Sequence, residues 1–229
     1  GPESEGDDEG VGRAHGGETR GAEGGAGGGS GGGRGSAEGG GNRAGVADEE
    51  GDLARAIEVC DRAIAVDQKL AKAHYLRGIA RRTFGRYDEA LALLQRARKL
   101  DPLAHRNDIS STLLRAGRYD EALRVAKDAS EMDASHARTL ATLGWAYFLS
   151  GQQGAGVAEL EHAVAVSPGS TLWLSQLGQA YALSGREAYA RALLLELEAR
   201  GKQSYVSPYH LAYVYTGLGE ADRAIALLV

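Results

Sequence analysis

Apolar residues recur every three or four positions along the chain after residue 50, and glycines interrupt this pattern at nearly constant intervals. These glycines lie at Gly51, Gly85, Gly117, Gly151, Gly185 and Gly219, with spacings of 34, 32, 34, 34 and 34. Apolar spacings of three and four place side chains on one face of an α-helix. A glycine just past a helix can adopt positive φ and end it. Each glycine is therefore predicted to form the corner between two antiparallel helices, which indicates an all-α fold.

The helix after each corner carries a small residue at a recurring position in its first turn. It lies five positions after the glycine, at Ala56, Ala90, Ala122, Gly156, Ala190 and Ala224. A small side chain there allows the second helix of a hairpin to approach the first closely. Proline cannot continue a helix, so Pro102 and Pro168 are expected to follow helix ends.

The helix before each corner has a matching face. In the fourth and fifth units it is apolar: Leu140, Leu143, Gly144 and Tyr147, then Leu174, Leu177, Gly178 and Tyr181. In the second unit the same positions are His74, Arg77, Gly78 and Arg81, which is polar for a core face. The single spacing of 32 predicts a shorter loop after Pro102.

Composition separates residues 1–50 from the rest of the chain. They hold 20 of the 34 glycines and no Leu, Ile, Met, Phe, Tyr or Trp, with a net charge of −7, whereas residues 51–229 carry +2. Such a segment cannot bury enough apolar area to offset its ordering entropy, so residues 1–50 are predicted to be a disordered Gly-rich acidic tail or linker. An RNA-binding arginine–glycine segment is disfavoured because nucleic acid attracts net positive charge.

Residues 51–229 resemble the tetratricopeptide repeat family, whose pattern is W-x2-L-G-x2-Y, then A-x3-F, A and P in about 34 residues. The tryptophan position is never tryptophan in this chain. The resemblance implies a right-handed superhelical solenoid of antiparallel helix hairpins. It would comprise the second helix of unit one, four full units and a truncated sixth unit. It also implies that the first helix of each hairpin lines a concave binding face.

Catalytic, cofactor and metal sites are not expected. The six histidines show no metal-ligand spacing, and Cys60 is predicted to be a buried core thiol. The chain contains no phosphate-binding GxxxxGK[ST] loop and no G-x-S-x-G nucleophile elbow. The protein is therefore predicted not to be an enzyme. With one cysteine and no long apolar run, a cytoplasmic location is expected.

A partner-binding groove is the remaining candidate site. Projection of the first helices at period 3.6 places these residues on the concave face: Tyr75, Ile79, Asn107, Ser111, Arg138, Ala141, Trp145, Phe148, Ser175, Gln179, Tyr209 and Tyr213. Aromatic residues and arginine are favoured anchors at interfaces. The predicted function is protein–protein interaction through a bound peptide or partner protein, with no binding of nucleic acid or membrane. Self-association through uncapped ends is a further expectation.

An alternative function comes from residues 204–228. This stretch, SYVSPYHLAYVYTGLGEADRAIALL, resembles late repeats found downstream of bacterial winged-helix regulators, serine/threonine kinases and nucleotide cyclases. That likeness implies a non-catalytic regulatory or scaffolding region of a larger protein.

Overall fold

The structure is a computed structural model that describes residues 40–102 and 106–229, with side chains from residue 51 onward except at Arg106. These residues form eleven α-helices and no strand. The helices are α1 (Gly40–Val66), α2 (Ala71–Thr83), α3 (Tyr87–Leu100), α4 (Arg106–Arg115), α5 (Tyr119–Ser130), α6 (Ala137–Leu149), α7 (Gln153–Val166), α8 (Thr171–Leu183), α9 (Glu187–Gly201), α10 (Pro208–Gly217) and α11 (Ala221–Ala226).

Successive helices from α2 onward pair as five hairpins, and five of the predicted corner glycines lie between the paired helices. Gly85, Gly117, Gly151, Gly185 and Gly219 have φ values between 71° and 90°. At the first corner the Arg86 N–H donates to the Arg81 carbonyl (3.0 Å) and the Gly85 N–H to the Arg82 carbonyl (3.0 Å). The other four corners repeat this bond pair, which satisfies the last carbonyls of a helix. The predicted helical repeat solenoid is confirmed.

The prediction at Gly51 is wrong. Gly51 lies inside α1, which begins at Gly40, and Ala56 is exposed. Ile57 and Cys60 are the buried residues of this helix. The sequence before Gly51 lacks the apolar pattern of a first helix, so no apolar face is present there for a turn to bring against α1. An interior glycine costs a helix only about 1 kcal/mol, so α1 continues through Gly51.

The predicted acidic tail, residues 1–50, lies mostly outside the described residues. Its last eleven residues form the start of α1, so no helix begins at the predicted boundary. Ala44, Ala47, Glu49 and Glu50 are good helix formers. Helical propensity thus extends the first helix beyond the apolar pattern.

The small residues after the other corners are buried as predicted. Ala90, Ala122 and Ala190 have no exposed area. Leucines on the same helix face, Leu94 and Leu160, are also fully buried. The core therefore lies between the two helices of each hairpin and between neighbouring hairpins.

The hairpin α6/α7 contains the closest backbone approach among these small positions. A Cβ atom built on Gly156 would lie 2.6 Å from the Gly144 carbonyl oxygen and 2.7 Å from the Phe148 backbone nitrogen. A Cβ on Gly144 would lie 2.9 Å from the Gly156 carbonyl oxygen. Only glycine at both positions allows these two helices to pack this closely.

The polar face of α2 points into the fold and is neutralised by neighbouring helices. Arg77 Nε lies 2.9 Å from a carboxylate oxygen of Asp61 in α1, and Arg81 Nε lies 3.4 Å from one of Glu89 in α3. Arg81 occupies the position that Tyr147 and Tyr181 hold in later hairpins. An ion pair therefore replaces aromatic packing at this position of the hairpin.

Helix α3 ends at Leu100, two residues before Pro102, and α7 ends at Val166, two residues before Pro168. Both helix ends agree with the sequence prediction. The shortened loop lies largely in residues 103–105, outside the described residues.

Candidate functional site

The first helices α2, α4, α6, α8 and α10 lie side by side and form a surface that we call the first-helix face. Side-chain hydrogen bonds link each helix to the next. Arg82 Nη1 donates to Asp108 Oδ1 (3.4 Å), and Asn107 Nδ2 donates to Thr139 Oγ1 (3.0 Å). The later links are Trp145 Nε1 to Gln176 Oε1 (3.0 Å), Gln179 Nε2 to Thr216 Oγ1 (3.4 Å), and Thr171 with His210 (2.9 Å).

Nine of the twelve predicted groove residues are at least partly accessible. They are Tyr75, Ile79, Asn107, Ser111, Arg138, Trp145, Gln179, Tyr209 and Tyr213. Asn107, Trp145 and Gln179 take part in the hydrogen bonds between first helices. The structure thus gives these three residues a structural contact in addition to the predicted role.

The other three predicted residues are buried, which corrects the prediction. Phe148 is 6% exposed and belongs to the same core cluster as Ala141 and Leu160. Ser175 has no exposed area, and its hydroxyl donates to the Leu172 carbonyl (2.8 Å). Helices on either side cover α6 and α8, so less of each helix surface remains open than a projection at period 3.6 suggests.

Trp145 lies at the boundary between core and surface. Its indole packs against the cluster that contains Leu160 and meets the Phe148 ring edge-on, with centroids 5.5 Å apart. Its N–H is held by Gln176 of the next first helix. The ring is thus fixed in place while part of it remains accessible.

The α2–α6 end of the first-helix face is charged. Arg82 and Asp108 form a half-buried ion pair with side chains 19% and 13% exposed. Burial raises the pKa of the neighbouring Tyr75 hydroxyl, and the Asp108 charge adds to this rise, whereas Arg82 and Arg138 oppose it. Arg138 is exposed at the start of α6. Sequence reasoning did not place Arg82 in the groove, although it lies three residues beyond Ile79 on the same stripe.

The α8–α10 end of this face is neutral. Helices α8 and α10 contain no Asp, Glu, Lys or Arg. Tyr209 is 65% exposed and Tyr213 is 39% exposed, and Leu183 at the end of α8 is also exposed. Large apolar surfaces therefore remain open to solvent at this end.

Catalytic and metal chemistry find little support elsewhere in the described part of the chain. No group of three or more His, Cys, Asp or Glu residues within it could hold a metal ion. Cys60 is buried, and its pKa is raised first by burial and then by Asp61, so the thiol is not activated as a nucleophile. A cavity of about 560 Å³ is lined by Arg191, Glu220 and Arg223. Both arginines already form ion pairs with Glu220.

A membrane-spanning helix is likewise not found among the described residues, because none of their helices is both long and apolar enough.

Comparison with known proteins identifies similar repeats. The sequence pattern of the family described as "Tetratricopeptide repeat" matches residues 42–105 and 107–170. No curated protein matches the chain significantly.

Several solved structures share the fold. MamA from Desulfovibrio magneticus RS-1 is 21% identical, with a TM-score of 0.56 over 72% of this chain and 94% of that chain. TTC0263, a thermophilic TPR protein of Thermus thermophilus, is 25% identical, with a TM-score of 0.57 over 69% and 87%. PilW, described as a widely conserved type IV pilus biogenesis factor, is 19% identical, with a TM-score of 0.62 over 78% and 84%.

Proposed function

The chain belongs to the tetratricopeptide repeat family, and we propose that it is a protein-interaction module that binds a peptide or partner protein on the first-helix face. The observation that carries this proposal is the exposure of Tyr209 and Tyr213 on the same face as the half-buried Trp145. These rings offer apolar area that no part of the described chain covers. Tyrosine and tryptophan are enriched among the residues that dominate binding energy.

The hydrogen bonds between first helices support this function. Asn107–Thr139, Trp145–Gln176 and Gln179–Thr216 each join one hairpin to the next. A surface that is already held in its binding arrangement loses less conformational entropy when a partner binds. The face is therefore preorganised along its length.

Selection from a displayed library of random peptides on the immobilised chain tests this proposal. Fluorescence anisotropy then compares the affinity of the best peptide for the Tyr213→Ala variant with its affinity for the Tyr119→Ala variant. Tyr119 is 38% exposed, almost as much as Tyr213, but it lies on the second helix α5. We expect Tyr213→Ala to weaken binding about tenfold or more and Tyr119→Ala to leave it unchanged. Equal affinity for both variants, with both folded by circular dichroism, would place the binding site elsewhere.

A second candidate is a regulatory or scaffolding region of a larger bacterial protein. It is favoured by the resemblance of residues 204–228 to repeats downstream of winged-helix regulators, kinases and cyclases. In the structure this stretch includes α10, which begins at Pro208, a residue suited to a helix start. The gene sequence on both sides of the segment tests this candidate, because it requires such a domain in the same reading frame.

A further inference from the structure

We infer that the partner is a segment with acidic side chains at one end and aromatic or aliphatic side chains at the other. The acidic end would lie over α2, α4 and α6, and the apolar end over α6, α8 and α10. This inference rests on the proposed function and specifies the chemistry of the partner.

The charged end of the first-helix face has an excess of positive charge. Helix α2 contains Lys72, Arg77, Arg81 and Arg82 and no acidic residue. Lys72 and Arg82 share a stripe with Tyr75, because spacings of three and seven return to the same side of a helix. Arg77 and Arg81 instead face inward to their carboxylate partners.

The carboxylate of Asp108, next to this stripe, is already occupied. Asp108 pairs with Arg82, which leaves Lys72 and Arg138 exposed and without an ion pair among the described residues. Arg115, four residues after Ser111 in α4, is also exposed and forms no ion pair there. Three uncompensated cations therefore border this end, and acidic side chains on a partner complement them.

The other end of the face disfavours charge. No Asp, Glu, Lys or Arg lies in α8 or α10, and the accessible groups there include tyrosine, leucine and amide side chains. An acidic residue bound over this end would be desolvated without an opposite charge to pair with it. Aromatic or aliphatic side chains would instead bury their own apolar area against Trp145, Tyr209 and Tyr213.

The dimensions of the face set the length of such a segment. Packed neighbouring helices lie roughly 9 Å apart, so five first helices extend about 36 Å across the face. An extended chain covers this distance with about 11 residues.

Peptide selection followed by charge reversal tests the inference. Random 15-residue peptides are selected on the full chain. Fluorescence anisotropy then measures the affinity of the best peptide for the wild type, for Arg138→Glu and for Arg124→Glu. Arg124 is an exposed arginine on the second helix α5 and serves as the matched control. We expect selected peptides to carry Asp or Glu toward one end and apolar residues toward the other. We further expect Arg138→Glu to weaken binding about tenfold, Arg124→Glu to have no effect, and added salt to weaken the wild-type complex.

A rescue experiment excludes a purely structural effect of the substitution. Lysine is substituted for one acidic residue of the peptide at a time, and at the position that faces Arg138 this change should restore binding to Arg138→Glu and weaken binding to the wild type. A defect caused by misfolding would not be rescued by the peptide.

The possible failures of the two proposals are distinguishable. Peptides that depend on Tyr213 but lack the acidic and apolar ends would overturn this inference and leave the proposed function standing. Failure to select any peptide that depends on Tyr213 would overturn both. A single-stranded oligonucleotide that displaces the peptide through Lys72 and Arg138 would overturn the inference in favour of nucleic acid.

Discussion

Hairpins α2/α3 and α6/α7 share one backbone design but are held together by different chemistry. Both turn at a glycine with positive φ, and both end their first helix with the same pair of carbonyl hydrogen bonds. In α2/α3 the helices are separated by Ala90 and joined by the Arg81–Glu89 ion pair. In α6/α7, Gly144 and Gly156 bring the two backbones into contact. The repeat period therefore depends on the corner and the small residue, while the remaining side chains vary between hairpins.

This difference extends to the surface. The charged packing of α2 continues onto the first-helix face as Arg82 and Lys72, whereas α8 and α10 present aromatic, aliphatic and amide groups. One repeated scaffold thus provides a face whose two ends differ in polarity.

Gly156→Ala is expected to have the largest effect. The new methyl group would overlap the Gly144 carbonyl oxygen and the Phe148 backbone, which cannot move without separating the helices. We expect a loss of about 3 kcal/mol in the free energy of unfolding, measured by urea denaturation.

Gly154→Ala is the matched control, because its added methyl group would meet nothing within 4 Å in the same helix. It should be neutral or raise stability by roughly 0.5–1 kcal/mol. Similar melts for the two variants would show that the close approach of Gly144 and Gly156 does not limit the packing of α6/α7.

Ala90→Leu tests whether alanine sets the separation of helices in α2/α3. Ala90 is fully buried, and its carbonyl lies 3.3 Å from the position of a Cβ built on Gly78. The larger side chain should destabilise the fold by about 2 kcal/mol. Ala92→Leu, at an exposed position of the same helix, should leave the urea midpoint unchanged, and equal losses would refute the packing role of Ala90.

Asp108→Ala removes the ion pair between α2 and α4. Because its side chain is only 13% exposed and its partner is Arg82, we expect a loss of about 1 kcal/mol in unfolding free energy. Asp52→Ala breaks a pair whose side chains are 76% and 81% exposed, and it should cause no measurable change. If both variants melt alike, the charged end of the face contributes nothing to the junction between hairpins.

Tyr181→Phe tests the aromatic position that Arg81 occupies in hairpin α2/α3. Burial, followed by the hydrogen bond and charge of Glu161, raises the pKa of Tyr181 to about 12. The folded chain therefore holds this proton more tightly than the unfolded chain, in which tyrosine has a pKa of about 10. The associated stability is present below that pH and is lost as pH rises toward about 12.

Unfolding measured across this alkaline range should show a smaller loss for the Phe variant than for the wild type. In the Phe variant, the titration of tyrosine absorbance with pH should also lack the step near pH 12 that belongs to Tyr181. An unchanged titration would mean that Tyr181 is open to solvent.

The positions of the hairpins were predictable because glycine corners and small residues repeat in the sequence. Gly85, Gly151 and Ala90 take their predicted roles. Gly51 does not, because a corner also requires a preceding helix with an apolar face. Phe148 and Ser175 were misplaced because helical period alone does not reveal how much of a helix its neighbours cover.

The sequence by itself determined the repeat, the glycine corners of the five hairpins from α2 onward and the family, since these depend on local conformational preference and on spacing along the chain. Tertiary structure decided which first-helix residues remain accessible and which ones join neighbouring hairpins. The pairing of Arg82 with Asp108 and of Trp145 with Gln176 joins residues 26 and 31 positions apart. Such contacts depend on how hairpins stack, and stacking is set by the combined packing of several helices.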